Sequence, residues 1–134
     1  MNVLVVEPGY QPYEKEVNGL HEMQAVVGGL IQPIYPYEEP VAIVCNEEGL
    51  LLGLDFNRSV EGGYGGVFGT FFVCGLGEED FCSLTPEQIA RYKEKFKHAE
   101  ILIGVHGNTP ITLQVSAMPK RNTPKPRTPN APER

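Results

Sequence analysis

Anion-binding chemistry in this chain would begin at Asn57 and Arg58. Arg58 is one of only two bases in the first 90 residues, which carry 14 carboxylates. The chain then runs through Glu61-Gly62-Gly63-Tyr64-Gly65-Gly66 toward Thr70. Glycines permit positive φ and leave backbone N–H groups bare, and such groups can form an anion-binding concavity. A guanidinium adds a planar fork that suits phosphate, and Tyr64 can stack on a base. Arg58, Asn57, Thr70, Gly62, Gly63 and Tyr64 are therefore the candidate site for a small anionic, nucleotide-like ligand. Neither G-x-x-x-x-G-K-[ST] nor G-x-G-x-x-G is present. The competing reading of the same residues is an ordinary hairpin loop, with Arg58 paired to a neighbouring carboxylate.

Other chemistries find fewer parts. His21, His98 and His106 are scattered, and Cys45, Cys74 and Cys82 form no C-x-x-C pair, so no metal site is expected. No G-x-S-x-G elbow occurs, and His106 within Gly104–Asn108 is the lone candidate base. The acidic groups Glu38-Glu39, Glu47-Glu48 and Glu78-Glu79-Asp80 lie beside turn residues, where carboxylates are ordinarily solvated. The expectation is a protein without catalytic residues or cofactor, an uncharacterised enzyme being the alternative.

The elements that must position these residues alternate between short strands and two helices. Asn2–Val6 reads as a buried strand ended by Pro8-Gly9. Asn18 can cap a helix bearing Leu20, Met23 and Val27 and ended by Gly28-Gly29. Leu30–Tyr35 follows as an edge or kinked strand containing Pro33. Val41–Cys45 is apolar enough to be covered on both faces. Asn46–Gly49 predicts a hairpin turn returning through Leu50–Leu54, and Val67–Cys74 predicts one strand with a bulge or close approach at Gly69. Thr85, Pro86 and Gln88 spell a capping box for a second helix with Ile89, Tyr92 and Phe96 as its buried stripe. Glu87 and Arg91 can pair four residues apart on it. Ile101–Ile103 and Ile111–Val115 supply one or two last strands. The fold class is α+β: one small domain over residues 1–118, mainly antiparallel sheet with two helices.

Charge divides the 134 residues unevenly. The net charge is −6, yet residues 119–134 hold five bases against Glu133 alone, a balance of +4, while residues 1–118 stand at −10. The C-terminal segment carries five prolines and no large apolar side chain, so a disordered basic tail is expected, able to touch nucleic acid. The acidic body can instead steer a basic host protein toward itself or mimic nucleic acid. No apolar run approaches the roughly 18 residues of a spanning helix, and Glu7 interrupts the start too early for a secretory signal. With three cysteines and no disulfide framework, the expected setting is cytoplasmic and away from membranes.

In its order of features the chain resembles the family catalogued as domain of unknown function 3846. The features are Glu7-Pro8-Gly9, Met23 to Gly29, Cys45-Asn46-Glu47-Glu48-Gly49, Leu54, Asn57-Arg58, Gly69-Thr70-Phe71-Phe72, Asp80-Phe81 and Ser83-Leu84-Thr85. The resemblance covers about residues 1–97 and leaves the tail outside. It implies no particular activity, only a phage, plasmid or mobile-element setting. The function expected there is a non-enzymatic accessory protein, acting in counter-defence by binding the anionic ligand. The alternative is an acidic interaction or DNA-mimic module occupying a basic host surface.

Overall fold

Three unbroken apolar runs become the centre of an antiparallel sheet. The computed structural model describes residues 1–120. The central strands are β1 (Asn2–Val6), β4 (Val41–Asn46) and β7 (Phe71–Leu76), with β2 (Tyr13–Glu16) and β3 (Ile31–Ile34) outside them. The order is β2-β1-β7-β4-β3, and the short β8 (Phe81–Cys82) also pairs with β7. Such runs suit strands covered on both faces, and the covers are different. On one face Val3, Val5, Ala42, Val44, Phe72 and Cys74 pack under helix α1 (Gly19–Val27), through Met23, Val26 and Val27. On the other, Leu4, Ile43, Phe71 and Val73 pack against helix α2 (Pro86–Lys95) and the hairpin of β5 (Phe56–Val60) with β6 (Gly65–Phe68). Val73 lies opposite both Leu4 and Ile43. A one-residue slip would exchange the two faces.

The capping box and buried stripe predicted for α2 are in place. Thr85 Oγ1 accepts from the Gln88 N–H at 3.1 Å, and Gln88 Oε1 accepts from the Thr85 N–H at 2.9 Å. Ile89, Tyr92 and Phe96 are buried. Arg91 does not pair with Glu87: its guanidinium reaches Glu39 at 2.8 Å, beside Gln88 and the Tyr92 hydroxyl, and ties α2 to the β3–β4 connection. Gly28 ends α1 in the left-handed region. Asn18 stands at the α1 N-cap, but its side chain serves the N-terminal amine and not the helix.

Three sequence expectations are corrected. Leu50–Leu54 does not return as a strand; Leu52 and Leu54 N–H groups donate to Glu48 and Gly49 carbonyls, coiling the segment into consecutive turns. Val67–Cys74 is two strands, parted at Gly69, where φ is +92° and an added Cβ would lie 2.6 Å from Leu54. Tyr13–Glu16 and Phe56–Val60 are strands that the residue pattern did not announce. After α2 the chain forms a separate hairpin, β9 (Ala99–His106) with β10 (Thr109–Val115). It then returns to the start of the domain: Met118 bridges Tyr10, exchanging hydrogen bonds with Gly9 and Gln11 at 2.9 Å. The expected disordered tail falls, after Lys120, outside the described residues.

Candidate functional site

Arg58 proves to be a fully buried clamp. Its Nη2 donates to the Tyr10 and Phe96 carbonyls and its Nη1 to Asn57 Oδ1, each at 2.8 Å. Asn57, equally buried, donates through Nδ2 to the Val6 and Gly69 carbonyls at 2.9 Å. One residue pair thus fastens the end of β1, the following turn, the β6–β7 turn and the end of α2. Such fastening is why a charged residue sits inside β5: main-chain carbonyls buried among apolar side chains need donors. Burial pulls the Arg58 pKa down to about 10, against the opposing pull of Glu100. At neutral pH it is still charged. Both terminal nitrogens donate to the protein itself, and the Nε–H, which has no partner among the described residues, is buried away from any external anion.

The other candidate residues are not brought together with this pair. Thr70 faces a polar hollow shared with Glu7, Tyr13, Lys15, Glu16 and Glu22, where carboxylates outnumber the one base in the lining. Gly63 lines a shallow depression beside Glu61 and Asn108. Gly62 has φ of +77° and packs against Pro36 and the Tyr64 ring, so it shapes the turn. Tyr64, with the neighbouring Gly65 and Gly66, borders a mainly apolar cleft.

That cleft has a volume of about 530 Å³, within the range of small-molecule and side-chain pockets. Its floor is Cys45, Val67 and Phe68 from the sheet and the β5–β6 hairpin; one wall is the loop at Gly49-Leu50, the other Leu102, Val105 and Pro110 of the β9–β10 hairpin. Gln32, Asn46 and Asn108 supply amides, and among the described residues Glu47 is the one formally charged lining residue. Asn46 is committed locally, donating to the Val27 carbonyl at 3.1 Å and accepting from the Glu48 N–H at 2.7 Å. The cleft therefore favours apolar and neutral or cationic groups; an anion would meet Glu47 with no base opposite. Of its lining, Leu50 and Tyr64 remain exposed, and Leu51 and Leu52, which follow Leu50 in the loop, are exposed as well.

Cys45 and Cys74 are buried thiols, pushed up by burial to about 11 and about 12. Both are protonated at neutral pH and so poor nucleophiles. His106 is exposed at the end of β9. No group of three or more His, Cys, Asp or Glu side chains suited to a metal occurs among the described residues. No helix among them is long and apolar enough to cross a membrane. Two walls of the cleft escaped sequence reasoning. Their cues were present: three consecutive leucines between turn glycines, and an uncharged stretch after α2.

The fold and site define a small α+β domain with an apolar cleft at the junction of its sheet and two accessory hairpins. The family model described as a domain of unknown function, DUF3846, matches residues 1–97, and the chain belongs to that family. No curated protein and no solved structure matches significantly. The β9–β10 hairpin, and with it one wall of the cleft, lies beyond the matched segment.

Proposed function

We propose that the chain is a non-catalytic accessory protein that docks a host protein at the mouth of this cleft. The observation that carries the reading is the leucine loop. Leu50, Leu51 and Leu52 are 68, 85 and 57% exposed and consecutive in the loop that lines the cleft through Gly49 and Leu50. Contiguous exposed apolar surface with a polar rim is the usual mark of a protein contact. Glu47, Glu48 and Asp55 flank the loop, in a body of strongly negative balance, so the complementary surface is basic around an apolar knob. The burial of Arg58 removes the main support for a nucleotide-like ligand, while the mobile-element setting implied by the family suits a counter-defence role.

Capture from host-cell lysate on immobilised chain tests the reading. Wild type is expected to retain a partner that washes off with salt and that Leu51→Asp/Leu52→Asp fails to retain. Equal retention by both chains, or none by either, would overturn it.

A further inference from the structure

From Ile101 to Pro119 the chain carries no Asp, Glu, Lys or Arg, in a protein of net charge −6. Within that stretch Ile101, Ile103, Ile111 and Leu113 are 50, 61, 45 and 54% exposed. Leu113 lies opposite Ile101 and Ile111 opposite Gly104, with Ile103 the extra residue of the β-bulge between them, so the four exposed side chains gather on one aliphatic surface. It is the outer face of the hairpin; Leu102 and Pro110 belong to the inner one, which borders the cleft. The one nearby carboxylate, Glu100, accepts from the Ser59 N–H at 3.0 Å and is held against β5.

The edge of this hairpin is also unguarded. Exposed edge strands ordinarily carry charges or proline that block pairing with another chain. The outer strands of the main sheet obey that rule: β2 reads Tyr-Glu-Lys-Glu and β3 contains Pro33. Among the described residues β10 pairs only with β9; Pro110 guards only its start beside the hairpin turn, and residues 111–115, Ile-Thr-Leu-Gln-Val, have neither charge nor proline.

We propose that a second copy of this chain docks on β10, strand to strand and antiparallel about a two-fold axis. The charge pattern selects this occupant. A basic partner would find no carboxylate on this surface, whereas two copies of an acidic chain need a charge-free place to meet. Residues 121–134 lack the means to cover it, having four bases, four prolines and no larger apolar side chain than Ala131. Pairing centred on Thr112 sets Ile111 of each copy beside Leu113 of the other, and an isologous contact of this kind closes at two copies. This surface is distinct from the leucine loop, so the two readings fail independently.

Light scattering on the full chain tests it. Wild type is expected at twice the 14.8 kDa of one chain, and Ile111→Lys/Leu113→Lys at 14.8 kDa with an unchanged circular dichroism spectrum. Leu51→Lys should remain a dimer. Added salt should tighten the dimer, since it screens the repulsion between two acidic bodies. A wild-type mass of 14.8 kDa throughout the micromolar range, a dimer that survives the double lysine change, or one that salt dissociates, each overturns the proposal. Should the double variant unfold, hydrogen exchange on wild type decides. Dilution should deprotect the β10 amides and leave β1, β4 and β7 unchanged; concentration-independent β10 protection overturns it.

Discussion

Replacing Arg58 with Ala tests whether this residue is a clamp or a ligand-binding group. The substitution removes three hydrogen bonds of 2.8 Å and leaves the Tyr10 and Phe96 carbonyls and Asn57 Oδ1 without that donor. Each buried acceptor stripped of its partner costs roughly 1–3 kcal/mol. The vacated guanidinium volume adds a cavity cost, while relief from burying a charge offsets part of the total. The net loss expected is about 3–5 kcal/mol, the range in which breaking a buried hydrogen-bond network falls. That is a large share of the roughly 5–15 kcal/mol that holds a domain of this kind folded. For a chain of this length it corresponds to a melting temperature lower by about 10–20 °C. Arg58→Lys keeps the charge but loses the fork, so it should fall between the two. Thermal and urea denaturation followed by circular dichroism read the difference directly. Arg58→Ala melting within about 3 °C of wild type, less than 1 kcal/mol, would refute the clamp.

Further outcomes follow from other contacts. Tyr92→Phe removes the phenol that donates to Glu39 and should cost about 1–2 kcal/mol in urea unfolding. Glu39 is held below its ordinary value of 4.5, first by Tyr92 and then by Arg91 and Gln88. Its contribution is therefore present above that pH and lost as pH falls through the lowered value, and Tyr92→Phe should flatten this acid limb. On the alkaline side, burial raises Cys45 and Cys74 from 9.0 and Tyr13, Tyr37 and Tyr92 from 10.0. Groups raised on folding stabilise fully below their unfolded values, so the urea midpoint should decline steadily as pH climbs past 9 to 10; a flat profile would contradict these burials. In Gly49→Ala the new Cβ would lie 2.4 Å from the Phe68 carbonyl oxygen, displacing the leucine loop at a cost of about 1–3 kcal/mol, readable as a lower melting temperature. Leu51→Asp, at a position 85% exposed, should alter stability by less than about 0.5 kcal/mol, which thermal melting can verify.

Much of the scaffold is legible in the residues because its determinants are local. Val41–Cys45 and Asn2–Val6 announce strands covered twice, and Thr85-Pro86 with Gln88 announces α2 through contacts three residues long. The failures share a different cause. Arg58 stands out as a base in an acidic stretch and so suggests a ligand. Its true partners, the carbonyls of Tyr10 and Phe96, lie 48 and 38 residues away and belong to the main chain, which has no letter of its own. For the same reason Phe56–Val60, with Asn and Arg inside it, does not read as a buried strand. Leu50–Leu54 misleads in the opposite sense: its side chains suggest a strand, but the backbone at Gly53, with φ of +71°, turns away from the sheet. The cleft needed the third dimension, since its walls come from segments more than 50 residues apart.

The Met118 bridge to Tyr10 and the hold of Glu100 on Ser59 have a practical bearing on exchange between relatives. The family match ends at Lys97, yet the buried surface does not. Cutting there would strip Glu100 from Ser59, release Gly9 and Gln11 from Met118, and bare the flank of β5 on which the hairpin lies. The matched segment and the folded unit of this chain therefore have different ends. A chimera joined after Lys120 carries a closed domain, whereas one joined at the edge of sequence similarity carries an open seam.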